Sequence, residues 1–406
     1  MKYITILVDG MADYPIDELG GKTPLEAADI PVVNDLASRG EVGMVRTVPE
    51  GMSPGSDVAN LSLMGYEPEV YHTGRSPLEA ASMGVELSGG DVTFRCNLVT
   101  LGGTGSPEER TMLDHSAGEI SNEEARKLIE LVDKELGSES LRFYPGVSYR
   151  HLLVWENGPW GYELTPPHDI LGQGVAGHLP GGAYGGLFLD MTKRSVELLE
   201  NHPVNRKRRE EGKNPANSIW IWGEGKKPRL IPFYERYGLQ GAVISAVDLI
   251  YGIGILAGLR PIKVEGATGN IHTNFEGKAS AAIEALSGDT DYLYLHLEAP
   301  DECGHQGDFR EKIRSMEIID RKVIGPIKEA MEASGQDFRM LVMPDHPTPV
   351  SLRTHVGEPV PYVLYDSTRS GGKSDQSFSE ASGRASGKFF FNGPELLSCY
   401  LSKNGV

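Results

Sequence analysis

Three apolar runs, far apart in this chain, each lead to an aspartate. Tyr3 to Val8 precedes Asp9, Tyr292 to Leu297 precedes Asp301, and Met340 to Met343 precedes Asp345. Short apolar runs of this kind read as strands. In an open α/β sheet, ligands sit beyond the carboxyl ends of parallel strands, so three such runs can bring three carboxylates to one rim. Histidines accompany them. His305 stands four residues after Asp301, on the same side of one helical turn. His346 follows Asp345 directly, and His355 lies in a loop before Glu358-Pro359-Val360-Pro361. Any one of these histidines alone is more often structural than a ligand. Three aspartates with three histidines, however, suit a pair of divalent cations such as Zn²⁺ or Mn²⁺.

Such cations need a nucleophile to serve, and Ser56 is the candidate. It lies in Pro54-Gly55-Ser56-Asp57-Val58-Ala59-Asn60, where Pro54 and Gly55 mark a turn and Val58 to Met64 reads as the following helix. Free N–H groups at a helix N-terminus favour an anion or an alkoxide. Metal coordination activates an otherwise weak serine, and two metals can clamp the attacking and leaving oxygens of an in-line displacement. The structural alternative is that Ser56 only caps the helix. The Asp/His set puts the nucleophile ahead.

At 406 residues the chain has room for two or more domains. A net charge of -18 argues against nucleic acid or an anionic membrane as a main partner. A small phosphorylated substrate remains open, because metal charge dominates locally. Cys96, Cys303 and Cys399 are far apart and form no CxxC pair, so a reducing, cytoplasmic setting is expected. A strand pattern follows Lys2 at once, so no signal peptide is expected, and no apolar run is long enough to span a membrane.

Strand and helix signals alternate at both ends of the chain. Thr23-Pro24-Leu25-Glu26 has capping-box spacing, and Ser76-Pro77-Leu78-Glu79 repeats it. The helix after Thr23 is expected to break at Pro31 and continue through Leu36. Gly84 to Gly90 could be a crossing between domains. From about Asp91 to Tyr237 the texture changes. Phe94 to Leu101 and Tyr149 to Trp155 look like strands, Ser121 to Leu136 like an amphipathic helix, and Ile170 to Gly186 like a glycine-rich loop. Arg206 to Lys213 reads as a solvated charge run. After Gly238 the α/β pattern returns, and Ser374 to Gly387 reads as a surface loop. The division expected is a split domain, 1–85 with 238–406, interrupted by an insert, 86–237.

These features resemble the alkaline phosphatase superfamily, and more closely its archaeal-type cofactor-independent phosphoglycerate mutases. The resemblance runs nearly end to end. It rests on Val8 to Asp13, Pro54 to Ser62, Phe94-Arg95-Cys96-Asn97, His202 to Asn205, Pro215-Ala216-Asn217, Glu265 to Gly269, and the Asp301, Asp345 and His355 segments. It implies an α/β fold, an alkaline-phosphatase-like three-layer domain with a smaller α/β domain inserted. By the same resemblance one metal is held by Asp301, His305 and His355, and the other by Asp9, Asp345, His346 and the Ser56 oxygen. The ions would be Mn, Zn, Co or Mg, with no organic cofactor. Ser56 would carry the phosphoryl group as phosphoserine and return it to a neighbouring hydroxyl, in a cleft that closes against water. The insert would hold the substrate. Arg95, Asn97, Arg150 and His168 are its candidates, because an arginine fork binds two oxygens of phosphate or carboxylate at once. Asp114 and His115 are candidates for proton transfer there.

Two segments depart from the family pattern. Family members tend to have Asp-Arg-Arg-Ala-Gly where this chain has Asp114-His115-Ser116-Ala117-Gly118, and Arg-Gly where it has Trp222-Gly223. Three cationic side chains are thus absent from the part expected to grip a doubly anionic phosphoglycerate. A phosphotransferase forming phosphohomoserine in threonine synthesis is the alternative this leaves open, since a zwitterionic amino alcohol needs fewer cations. A metal-dependent phosphomonoesterase is a third reading.

Overall fold

The computed structural model describes residues 1–369 and 373–402. The chain forms two compact units, Met1–His72 with Arg229–Val406, and Thr73–Pro228. Among the described residues the strands are β1 (Lys2–Val8), β2 (Glu41–Val45), β3 (Val92–Gly102), β4 (Thr111–Asp114), β5 (Leu141–Val147), β6 (Arg150–Trp155), β7 (Ser218–Lys226), β8 (Gly241–Ile244), β9 (Arg260–Ile262), β10 (Tyr292–Leu297), β11 (Phe338–Met343), β12 (Val360–Asp366) and β13 (Phe389–Phe390).

The first unit holds an eight-stranded sheet in the order β13-β2-β12-β11-β1-β10-β8-β9. Its centre is parallel, with β1 between β10 and β11 and aligned so that Val8 faces Leu297 and Leu7 faces Met343. Side chains alternate along each strand. Ile4, Ile6, Leu293, Leu295, Met340 and Val342 pack on one face against the helices Pro31–Arg39, Phe275–Ser287 and Phe309–Ile319. On the opposite face Tyr3 meets Tyr400, Tyr292 stacks on Phe233, and Tyr294 reaches Asn60. Both faces are covered, which is why these strands read as continuous apolar runs rather than as alternating ones. The result is the three-layer α/β fold expected.

The second unit is an antiparallel sheet in which β3 pairs with β4, β6 and β7, and β5 pairs with β6. Phe94, Cys96 and Leu98 of β3 point into a core with the helices Asn122–Leu136 and Gly185–Leu199. Arg95 and Asn97 therefore point to the other face.

Several expectations need correction. The unit boundaries fall at 72/73 and 228/229, not at 85/86 and 237/238. The helix Ser76–Ser82 packs on the second unit's sheet, and Ala80 and Leu87 share a core with Leu152 and Val154, so Gly84 to Gly90 is no crossing. Phe233 packs under Tyr292, which keeps Phe233–Tyr237 in the first unit. Thr23 does form a capping box with Glu26. Ser76 does not, because its hydroxyl is taken by Thr93 while Glu79 pairs with Arg95. Arg206 to Lys213 is not wholly solvated: Arg208 is buried and bonds Glu124 and the Ala117 carbonyl. The segment expected as a loop near the end contains the helix Glu380–Ala385, and Glu380 accepts from Thr23 Oγ1 and the Asp13 amide. Among the described residues no helix is long and apolar enough to cross a membrane.

Candidate metal centre

The parallel register of β1, β10 and β11 carries their C-terminal ends to one place. Asp9 directly follows β1, Asp345 follows β11, and Asp301 lies in the helix Ala299–Gln306 that starts just beyond β10. Gly10 makes this convergence possible. It sits at φ +61°, and a Cβ there would meet the Asp301 backbone at 2.7 Å and Thr348 Oγ1 at 2.6 Å.

Two groups of potential ligand atoms result, Asp301 with His346 and His355, and Asp9 with Asp345 and His346. His346 Nε2 lies 3.6 Å from Asp9 Oδ1 and 3.4 Å from Asp345 Oδ2. His355 Nε2 lies 3.3 Å from Asp301 Oδ1. His305 stands at the outer side of the first group, its Nε2 3.3 Å from Asp301 Oδ2 and 2.9 Å from His355 Nε2. The sharing of His346 between both groups was not foreseen.

The imidazole tautomers follow from the other ring nitrogens. His305 Nδ1 donates to the Arg353 carbonyl and His355 Nδ1 to the Pro54 carbonyl. His346 Nδ1 faces Thr348 Oγ1, which itself donates to Asp301. Each Nε2 is thereby turned inward, those of His305 and His355 sharing a hydrogen bond, and this orientation suits a histidine to ligate a metal. Asp9 Oδ1 is buried without a hydrogen-bond partner. Burial, and then the charges of Asp345 and Asp301, push the Asp9 carboxyl well above its usual range. Hydrogen bonding to Asp301, against burial, raises His305 to about 9. Three carboxylates and three inward imidazole nitrogens fit divalent cations of borderline softness.

Ser56 opens the helix Ser56–Leu63, and the cap position is Gly55, which offers no side chain. The Ser56 hydroxyl caps nothing. It lies 3.1 Å from His346 Nε2. Asn60, one turn on, donates to the Ser56 carbonyl and to Asp345 Oδ2, and receives a hydrogen bond from Tyr294. Asp345 Oδ1 accepts from the Gly10 and His346 amides.

In the second unit, the side of β3 away from the core carries a connected run of rings. Arg95 lies over Trp222 at 4.4 Å, with Trp222 next to His168, His168 to His115, and His115 to Tyr149. Arg95 also pairs with Glu79 at 3.1 Å. Asn97 is fully engaged, accepting from Trp222 Nε1 and donating to the His115 carbonyl. Arg150 is exposed beside Tyr149. Asp114 accepts from the Ser116 amide and hydroxyl, the Gly118 amide and Asn214, a loop-organising role.

A family model described as 2,3-bisphosphoglycerate-independent phosphoglycerate mutase matches residues 37–205. A Geobacter sulfurreducens protein named a probable enzyme of that kind is 53% identical over 405 residues, covering 99% of this chain and 100% of the relative. The Methanosarcina barkeri enzyme of that name is 52% identical, covering 95% of each chain. The chain belongs to the 2,3-bisphosphoglycerate-independent phosphoglycerate mutase family. It is an enzyme, and its family's members are isomerases. Among solved structures, a Pyrococcus horikoshii protein is 29% identical with a TM-score of 0.80, covering 98% of this chain and 95% of that one. The Thermoplasma acidophilum cofactor-independent phosphoglycerate mutase is 25% identical with a TM-score of 0.64, covering 98% of each.

In this phosphoglycerate mutase relative, Asp9, Ser56, Asp301, His305, Asp345, His346 and His355 lie together in the first unit. Arg95, Asn97, Asp114, His115, Arg150 and His168 lie in the second. Sequence reasoning missed Asn60, Thr348 and His296. Asn60 carried a signal, since it stands four residues after Ser56 on one helical face. Thr348 and His296 carried none that local spacing exposes.

Proposed function

We propose that the enzyme interconverts 3-phosphoglycerate and 2-phosphoglycerate through a phosphoserine on Ser56, without bisphosphoglycerate. The observation that carries this reading is the set of three inward Nε2 atoms beside the orphaned Asp9 Oδ1, with the Ser56 hydroxyl among them. Asp301, His305 and His355 would hold one divalent cation, and Asp9, Asp345 and His346, with the Ser56 oxygen, a second. When bound, such cations neutralise charge on the phosphoryl oxygens and lower the cost of ionising the serine.

Ser56 Oγ attacks phosphorus in line, forming an O–P bond as the bond to the C3 oxygen breaks. The proton lost by Oγ ends on the C3 hydroxyl. The C2 hydroxyl then attacks the phosphoserine and restores Ser56. The first amides of the helix Ser56–Leu63 lack intrahelical acceptors and face the incoming anion. Arg150, exposed beside Tyr149, is a cation of the kind that suits a carboxylate. The names of the close relatives support the same activity.

One observation favours a second reading. The Arg95 charge is already countered by Glu79, and both polar atoms of the Asn97 amide are engaged. A less anionic acceptor such as homoserine, phosphorylated from a donor to be identified, would suit that surface. Turnover of 3-phosphoglycerate by Mn²⁺-loaded enzyme, coupled to enolase with no bisphosphoglycerate added, tests the mutase. Parallel wells hold homoserine with a phosphoryl donor. Isomerisation is the expected result. Phosphohomoserine with no isomerisation would replace the first reading by the second.

A further inference from the structure

Asp9 presents two unlike oxygens. Oδ1 faces the Asp345 and His346 group without a hydrogen-bond partner, while Oδ2 lies at ion-pair distance, 3.1 Å, from His296 Nε2, which itself makes no hydrogen bond among the described residues. His296 lies on β10 and its side chain is fully buried. Its Nδ1 is 3.0 Å from Glu298 Oε1. That oxygen also accepts from Ser245 Oγ at 2.9 Å and the Ala246 amide at 2.8 Å, and Glu298 Oε2 takes the Lys278 ammonium at 2.7 Å. Lys278 is fully buried on the helix Phe275–Ser287 and also donates to the His296 carbonyl, at 3.1 Å. A four-member chain, Asp9–His296–Glu298–Lys278, thus runs from the metal centre into the core with alternating charge.

Burying four ionisable side chains is costly unless each is paired. Every bond beyond Asp9 fixes the ring plane of His296, and the ring in turn occupies Asp9 Oδ2. We propose that His296, backed by Glu298 and Lys278, is a positioning residue that locks the Asp9 carboxylate with Oδ1 as its one oxygen free for a cation. The effect is confined to the Asp9, Asp345 and His346 position. The Asp301, His305 and His355 position has its own anchors in Thr348 and the Pro54 and Arg353 carbonyls. This inference rests on the two-cation reading above.

The test is calorimetric titration of metal-stripped protein with Mn²⁺, comparing wild type, His296→Leu and His296→Gln, with Asp9→Ala and Asp301→Ala marking the two positions. Thermal unfolding in EDTA checks that each variant is folded. Wild type is expected to take two ions. His296→Leu should weaken one of them about 10- to 100-fold, as loss of a ligand-orienting partner does, and the weakened ion should be the one lost in Asp9→Ala. His296→Gln, which can still donate an N–H toward Asp9, should recover part of the affinity. If His296→Leu does not fold, the Gln variant carries the test through its selective, smaller loss. Two ions bound by the folded variants with wild-type affinity, or both ions weakened equally, would overturn the positioning role alone. Fewer than two ions in wild type would overturn it together with the reading it rests on.

Discussion

Two polar clusters, the strand ends of the first unit and the β3 face of the second, are satisfied in opposite ways. At the strand ends Asp9 Oδ1 has no donor, and the charges of Asp345 and Asp301 crowd the Asp9 carboxyl. On and beside the β3 face, Asp114 has four donors, both polar atoms of the Asn97 amide are engaged, and Arg95 is paired and stacked. A buried set left unsatisfied costs stability unless something else completes it. The strand-end cluster of the first unit therefore suits a divalent cation, while the β3 face of the second is largely paired within itself.

The largest effect should come from the first unit. Ser56→Ala is expected to lower phosphoryl transfer by at least about 10⁴-fold, because the proposed phosphoserine can no longer form. Its stability should change by less than about 1 kcal/mol, since the hydroxyl caps no helix and its hydrogen bond is the one to His346. Coupled assay and urea unfolding measure the two together. Activity retained in a folded Ser56→Ala protein would end the phosphoserine mechanism.

Metal linkage separates the units next. A ligand bound only by the folded state adds about 2.7 kcal/mol when present at a hundred times its Kd. Mn²⁺ should raise the melting temperature of wild type and of Asp114→Ala alike, and should raise that of Asp345→Ala by less, because one of the two cation positions is lost. An unchanged shift in Asp345→Ala would remove Asp345 from the ligand set. Asp114→Ala tests the other side of the comparison. Loss of an acceptor shared by four donors should destabilise by about 1–3 kcal/mol, read as a lower urea midpoint. If Asp114→Ala instead lowers kcat with the midpoint unchanged, the residue works on substrate rather than on its loop.

The difference between the units also governs what could be read from sequence. The three strand ends were legible because an apolar run stopped by Asp is a local pattern, and parallel sheets place such ends together. The shared use of His346, and the chain through His296, were not legible. Both depend on register between strands nearly three hundred residues apart, as in the pairing of Val8 with Leu297. The unit boundaries were misplaced for a related reason. Ser76-Pro77-Leu78-Glu79 has the spacing of a capping box, yet Thr93 and Arg95 compete for its polar groups, and tertiary pairing wins over the local motif.

The smallest predicted effect concerns His151, a buried histidine of the second unit with no carboxylate partner. It sits on β6 opposite Cys96, and its Nδ1 accepts from the Gly146 amide at 3.1 Å, which requires the neutral ring. Burial lowers its pKa from 6.5 to about 3. The folded state thus binds the proton more weakly than the unfolded chain does. The contribution of neutral His151 to stability is fully present above about pH 6.5 and is lost as pH falls toward 3. Urea midpoints measured between pH 7 and pH 4 should fall, and His151→Asn, which keeps an acceptor but cannot titrate, should flatten part of that decline. His305 has the opposite sign, raised to about 9 by its carboxylate, so a decline unchanged in His151→Asn would assign the acid sensitivity to groups other than this ring. It would also mean that the second unit's interior tolerates the extra proton despite the burial of the ring.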